Sequence, residues 1–272
     1  MLKNLVFIIK PTHNYLRTTD DFISQNKVLY NLLFESISDL YIPLLEMLEG
    51  LEKDNIKARI GIVLPPVLCN LLSNETVKNM YVQWLEDRIE LGKREQNRCK
   101  ENNEFIKIIN ETIEQNLRLK DVFENKYSKS ILEKYAEYQS KGYLEILATC
   151  GTEVFVPHFM DIPEVISAQI ETGLQSYRNY FGELPDGFWL PKMAYFPGVE
   201  SLIKAYGYTY TVLDSKSILL SDKVPSSGVF YPSRTGNLLA LFAADSQFEE
   251  YLYAEEEGIA TNSVYRNEKR DI

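Results

Sequence analysis

Short, continuously apolar segments recur along this chain, and they limit its fold more than any other feature. Residues 5–9, 58–64, 143–149 and 208–213 are rich in β-branched and aromatic side chains. Runs of this kind are typical of strands buried on both faces, as in parallel sheets. Further strands are predicted at residues 187–191 and 238–243. Longer stretches with helical spacing separate the runs, which predicts an α/β fold with a mainly parallel sheet.

Two helical stretches stand out by their length. Residues 28–53 carry leucine and isoleucine at helical spacing, and Pro43 is expected to kink or divide this helix. Residues 74–127 are highly charged and helical in period, and with the next helix they form a predicted insertion at 74–141. This insertion falls between the second and third strands. Because its apolar heptads are not sustained, a solvated position outside the sheet is favoured over a coiled-coil arm.

Charge and cysteine usage exclude several classes of function. The net charge of −10 argues against a nucleic-acid groove or an anionic membrane surface as partner. The three cysteines lack regular spacing and only two histidines occur, so we expect reduced thiols, no metal site and no cofactor. No stretch approaches the roughly 18 apolar residues that span a membrane, and the first apolar run is too short for a signal peptide. A cytoplasmic location is therefore expected.

In parallel α/β proteins, the working residues follow the carboxyl ends of the strands. That rule selects residues 10–17, 148–159, 189–197, 214–217 and 243–247. It predicts that one end of a single sheet carries a set of charged side chains, namely Lys10, Glu153, Lys192, Lys216 and Asp245.

The same segments carry a family resemblance. GYLEILAT at residues 142–149, GFWLPKMAYFPG at 187–198 and VLDSK at 212–216 resemble, in this order, motifs of glycoside hydrolase family 57, in particular its α-glucan branching enzymes. The resemblance extends over essentially the whole chain. It implies an incomplete, distorted (β/α)7 TIM-like barrel over residues 1–272, truncated before the family's C-terminal helical domain, with the helical insertion at 74–141.

The departures from the family pattern bear on catalysis. The resemblance places a nucleophilic glutamate after W-L-P, where this chain has Lys192. The acid/base aspartate belongs to a later motif, which does not occur in these 272 residues. Two family histidines correspond to Glu153 and Lys216, and an early histidine is matched only by the shifted His13. Neither catalytic carboxylate is therefore found, and whether the chain is an enzyme is left open.

Other residues at the strand ends are candidates for contact with a sugar. For Trp189 and Tyr195, stacking on a sugar ring and packing in the core are equally favoured. For Asp214 and Asp245, capping a helix N-terminus is slightly favoured over a role in binding. Glu153 with Lys192 and Asp214 with Lys216 are possible ion pairs, whereas Glu145 is expected to satisfy a structural neighbour. The full set of candidate binding residues is Trp189, Tyr195, Asp214, Asp245, Glu153, Lys216 and His13.

The first hypothesis for function is a degenerate family 57-like protein of α-glucan metabolism that is catalytically inactive and retains affinity for glucan. The second is half of a split enzyme that another chain completes, and the third is a structural or regulatory protein that retains only the fold. Because the barrel motifs run out, an open edge strand or exposed apolar surface is expected near the C-terminus. Such a surface would cause self-association or recruit the completing chain.

Overall fold

The computed structural model of the chain describes residues 7–11, 16, 27–99, 103–127, 130–150, 163–245, 248 and 251. The chain divides into two units, the first comprising residues 1–152 and 171–184 and the second residues 153–170 and 185–272. A long helix, α7 (Pro163–Phe181), contributes to both units.

In the part of the first unit that the structure describes, three parallel strands occur, with β2 in the middle. They are β1 (Ile8–Ile9), β2 (Ile60–Val63) and β3 (Leu144–Thr149). The register aligns Ile8 with Gly61 and Ile60 with Leu144. A side chain at Gly61 would approach Cγ1 of Ile8 to 2.9 Å, so glycine permits the close pairing of β1 and β2. The three predicted strands are confirmed, each shorter than its apolar run.

The long N-terminal helix contains Pro43 without breaking there. A 3-10 turn at Lys27–Tyr30 leads into α1 (Asn31–Ser36), a π turn at Ile37–Tyr41 and α2 (Ile42–Lys53). The Ile42 N–H donates to the carbonyl of Ile37, five residues earlier. The wider π turn ends at Tyr41, two residues before Pro43. Pro43 then occupies the first turn of α2, where the missing N–H costs little. The predicted division therefore takes the form of a change of helix type.

The segment Val28–Lys53 also corrects an expectation about membranes. By length and composition this helix is able to cross a membrane, and half of its apolar window is buried inside the protein. The expectation that no stretch approaches this limit was wrong for this segment. A buried core helix of a soluble protein meets the same criteria. Leu45 and Leu48 on α2 have no exposed surface, which fits that explanation.

Four helices lie between β2 and β3 in the chain. They are α3 (Pro66–Ser73), α4 (Glu75–Arg98), α5 (Asn103–Val122, followed by a π turn at Phe123–Tyr127) and α6 (Ile131–Ser140). Side-chain oxygens of Asn74 and Ser130 cap α4 and α6 by accepting from the amides three residues later. The bond between Lys120 and Glu86 and that between Gln96 and Asn110 join α4 and α5 as antiparallel neighbours. Within the predicted insertion, residues 75–98, 103–127 and 131–140 are helical.

The described residues of the second unit form three parallel strands and one short antiparallel strand. After β4 (Gly187–Trp189) come α8 (Val199–Ala205), β5 (Tyr210–Asp214), α9 (Ser215–Leu219), β6 (Ser233–Arg234) and β7 (Ala240–Ala244). β5 pairs in parallel with both β4 and β7, and β6 pairs antiparallel with β7. The sequence had not predicted α9 or β6. The alternation of strands and helices confirms the mixed α/β fold, whereas the arrangement as a (β/α)7 barrel stays a prediction.

Apolar side chains are exposed around β6 and β7. Phe230 is 85% exposed, Leu238 is 65% exposed and Phe242 is 42% exposed. Exposed apolar surface was predicted for this part of the chain. Self-association, or the recruitment of a completing chain through that surface, stays a prediction.

Candidate functional site

Parallel pairing in the second unit brings several candidate residues to one edge. The register aligns Gly187 with Tyr210 and Asp214 with Ala244, so β4, β5 and β7 end on the same side. The segments carrying Lys192, Lys216 and Asp245 leave from that side, as the sequence predicted. Lys10 follows β1 in the first unit. Glu153 and His13 lie outside the described residues.

Lys192 occupies an unusual backbone conformation directly after β4. A single 3-10 turn at Pro191–Met193 is closed by bonds from the amides of Met193 and Ala194 to the carbonyls of Leu190 (2.8 Å) and Pro191 (3.1 Å). Lys192 has φ 53° and ψ 20°, and the next residue also has φ 53°. The left-handed region costs a non-glycine residue roughly 1–2 kcal/mol, and such outliers cluster at functional sites.

The Lys192 side chain is exposed at this edge. Within residues 163–245, no carboxylate lies within 4.0 Å of its ammonium group. The predicted partner of Lys192, Glu153, lies outside the described residues. The loop that follows β4 therefore presents a cation to solvent at the position where the family resemblance implies a carboxylate.

Tyr195 is held by Glu200, a residue that sequence reasoning missed. The Tyr195 hydroxyl donates to Oε2 of Glu200 at 3.0 Å, and the Gly198 amide donates to the same oxygen at 2.9 Å. Burial raises the pKa of Tyr195 to about 12, with further contributions from the hydrogen bond to Glu200 and from its negative charge. An acidic residue in the first turn of α8 was the available signal, because carboxylates at that place accept from backbone amides near the helix start.

Asp214 caps a helix, and Asp245 accepts a hydrogen bond from a backbone amide three residues later. Oδ1 of Asp214 accepts from the Lys216 amide at 2.8 Å, at the start of α9, and Oδ1 of Asp245 accepts from the Phe248 amide at 3.1 Å. The capping prediction is confirmed for Asp214, and for Asp245 it stays a prediction that the bond to Phe248 supports. The hypothesis of an ion pair between Asp214 and Lys216 was wrong: in this described segment their contact runs through the main-chain nitrogen of Lys216. The second carboxylate oxygen of Asp214 takes no part in the bond to Lys216.

Trp189 ends β4 with only 6% of its surface exposed. On the same strand, the carbonyl of Phe188 accepts from Oγ1 of Thr211 at 2.7 Å, which ties β4 to β5. Of the two roles predicted for Trp189, core packing is therefore the one that its burial supports. Tyr195 is less buried than Trp189.

Two further predictions concern the first unit. Glu145 on β3 accepts from the Arg59 guanidinium, so its predicted structural role is confirmed. Cys69, Cys99 and Cys150 are free thiols, as expected for a reduced protein. Burial raises the pKa of Cys69 and of Cys150 to about 12, so both stay protonated at neutral pH. Neither histidine of the chain lies among the described residues, and within those residues no three potential ligand side chains are grouped to hold a metal ion.

Comparison with known proteins gives these observations a family context. The sequence profile of glycosyl hydrolase family 57 matches residues 6–252. The 1,4-alpha-glucan branching enzyme TK1436 of Thermococcus kodakarensis is 28% identical over 213 residues, which are 73% of this chain and 30% of that enzyme.

Solved structures show the same fold. The alpha-amylase AmyC from Thermotoga maritima matches 100% of this chain and 51% of its own with a TM-score of 0.83 and 28% identity. The GH57-type branching enzyme from Pyrococcus horikoshii matches 96% of this chain and 50% of its own with a TM-score of 0.82 and 25% identity. The chain thus spans about half the length of these solved relatives and less of the curated one.

Proposed function

The chain belongs to glycosyl hydrolase family 57, and from that membership we propose that it is an α-glucan-binding relative of the branching enzymes that performs no glycosyl transfer. The observation that carries this proposal is Lys192. It stands exposed on the loop after β4, at the position where the family resemblance implies the nucleophile. A cytoplasmic location belongs to the same proposal and is supported by the family membership and the acidic composition.

The loss of catalysis follows from the chemistry of retaining glycosyl transfer. That reaction uses one carboxylate to attack the anomeric carbon and a second carboxyl group to shuttle the proton, through a transition state with positive charge on the sugar. An ammonium group at the first position cannot attack as a carboxylate does. At a separation of about 4 Å and an effective dielectric constant near 20, the repulsion between like charges is roughly 4 kcal/mol, about a thousandfold in rate.

Glucan affinity is supported by the polar groups at the same edge. Tyr195 is partly exposed, and Asp214 has a carboxylate oxygen beyond the one that caps α9. Carboxylate and hydroxyl oxygens at the carboxyl ends of parallel strands are suited to accept from sugar hydroxyls. An alpha-glucan branching enzyme and an alpha-amylase are among the similar proteins, which supports an α-glucan as the ligand.

A binding titration run beside an activity assay tests this proposal. Wild type, Lys192→Glu and Lys192→Ala are purified free of host amylases and titrated with maltoheptaose, amylose and glycogen. Branch formation and reducing-end release are measured on the same samples. We expect measurable binding by all three proteins and background rates in all three. Lys192→Glu alone should restore nothing, since the family's acid/base motif does not occur in these 272 residues.

Other results would separate the alternatives. Activity in wild type that survives Lys192→Ala would show that another residue supplies the chemistry and would refute the proposal. Activity that appears only when a second polypeptide is added would favour the split enzyme. A folded wild type that binds none of the glucans would favour the structural or regulatory protein.

A further inference from the structure

One carboxylate oxygen in the second unit organises the loop that follows β4. Oε2 of Glu200 accepts from both the Tyr195 hydroxyl and the Gly198 amide, at 3.0 and 2.9 Å. Gly198 precedes α8 with φ 99°, a conformation that favours glycine. Because glycine has no side chain, it cannot itself cap the helix. Glu200 therefore connects the start of α8 to a tyrosine four residues before the first residue of that helix.

The bond also determines what the Tyr195 hydroxyl is able to do. A phenol has a single O–H to donate, and here the proton is directed to Glu200. A further partner must therefore meet the Tyr195 oxygen as a donor, because only the lone pairs of that oxygen remain. Tyr195 is a partly exposed residue, so a ligand at this edge of the sheet is able to contact it.

We propose that Glu200 is a positioning residue for glucan binding: it holds Tyr195 in one orientation and presents the phenol oxygen as an acceptor for a sugar hydroxyl. This inference rests on the proposed function. The ligand that it selects is a sugar with a free hydroxyl at the position facing Tyr195. Glu200 itself need not touch the glucan, because its Oε2 atom is engaged by Tyr195 and Gly198.

A purely structural role for Glu200 makes a different prediction. If the residue only caps α8, its removal should affect the protein equally whether or not residue 195 carries a hydroxyl. Glu200→Gln retains a carbonyl oxygen that accepts from both donors, whereas Glu200→Ala removes the acceptor. Glu164→Ala also removes a glutamate from the first turn of a helix, α7, and serves as the control; Glu164 is exposed, whereas Glu200 is partly buried.

The experiment is a calorimetric titration with maltoheptaose of wild type, Tyr195→Phe, Glu200→Gln, Glu200→Ala, Glu164→Ala and the double variant Tyr195→Phe/Glu200→Ala. We expect Tyr195→Phe and Glu200→Ala each to weaken binding about 5- to 10-fold, the usual effect of one lost hydrogen bond. Glu200→Gln and Glu164→Ala should stay within about 2-fold of wild type, and the double variant should bind about as well as Tyr195→Phe.

Three results would overturn the inference. Unchanged binding by Glu200→Ala would remove any role in the site. Equal losses from Glu200→Ala in the wild-type and Tyr195→Phe backgrounds would assign the residue to structure alone, and so would failure of Glu200→Gln to preserve affinity while folding normally. In each of these cases wild type binds and the proposed function stands. Absence of binding by folded wild type would instead overturn the proposed function, and this inference with it.

Discussion

The two units use their charged side chains in different ways. In the first unit, Glu46, Glu49 and Glu52 on α2 each pair with a cation from a different element, respectively Arg118 at 2.6 Å, Lys126, and Lys141 at 2.8 Å. In the second unit, the carboxylates at the strand ends accept from main-chain amides. All ion pairs between described residues lie in the first unit. Charged side chains there link α2 to other elements, whereas in the second unit carboxylates bind the backbone of loops.

The difference has a consequence for energetics and for function. An exposed ion pair contributes about 0–1 kcal/mol, whereas an N-cap carboxylate contributes about 0.5–2 kcal/mol. The cap at Asp214 therefore stabilises more than each of the pairs on α2 does. The exposed side chains of Lys192 and Lys216 lie at the same edge, where a ligand would bind.

The largest expected effect tests whether Trp189 belongs to the core or to the binding site. Trp189→Ala should lower the free energy of unfolding by about 3–5 kcal/mol, because a buried ring leaves a cavity. Trp84 of the first unit, which is only partly buried and stacks with Tyr81, provides the matched control. Trp84→Ala should cost less in a urea titration followed by circular dichroism. A smaller loss for Trp189→Ala than for Trp84→Ala, together with lost glucan binding, would identify Trp189 as a ligand contact.

The next effect tests the glutamates of α2. Replacing Glu46, Glu49 and Glu52 together by glutamine should lower the free energy of unfolding by roughly 1–2 kcal/mol at low salt. The loss should shrink in 1 M salt, where the Debye length is about 3 Å. The control replaces Glu90, Glu95 and Glu111, whose ion pairs stay within their own helices, and changes the net charge equally. Equal losses of unfolding free energy in the two triple variants would show that ion pairs between elements stabilise the protein no more than pairs within one helix.

A smaller effect concerns the backbone of the loop after β4. Lys192→Gly should raise the free energy of unfolding by up to about 1 kcal/mol, because glycine adopts φ 53° without the cost that a side chain brings. Lys192→Ala removes the same charge without relieving the backbone, so it should not stabilise the protein. Thermal unfolding of the three proteins compares them directly. If both variants raise the free energy of unfolding equally, the destabilisation comes from the charge of Lys192 and not from its backbone conformation.

The smallest effect is a dependence on pH in the first unit. Hydrogen bonds from Lys134 and Lys141 lower the pKa of Glu137 to about 2. A carboxylate with a lowered pKa stabilises the fold above its unfolded value of about 4.5, and that contribution is lost as the pH falls toward 2. Because the Glu137 side chain is 40% exposed, solvent screening should keep it below about 1 kcal/mol.

Comparing wild type with Glu137→Gln measures this contribution. Urea titrations should show a constant difference in the free energy of unfolding between pH 5 and 8. The difference should decline below pH 4.5. A difference that is unchanged at pH 3 would mean that the lysines do not lower the pKa of this carboxyl group.

Much of the fold could be predicted because its signals are local. Ser130 with Glu133 marks the start of α6, and Gly142, with φ 80°, marks its end. The β-branched runs identified β2 and β3. The short strand β6 and the five-residue helix α9 were missed, since elements of that length contain too little of any period to be recognised.

The sequence by itself determined the alternation of strands and helices, the capping residues, and the family to which the motifs at 142–149 and 187–198 point. These features depend on backbone preferences and periodicity over a few neighbouring residues. Only the tertiary structure decided that Trp189 is buried, that Glu200 holds Tyr195, and that the glutamates of α2 meet three separate cations. Partners such as Glu46 and Arg118 are 72 positions apart in the chain. Their pairing is set by how the helices pack, which no local pattern of residues specifies.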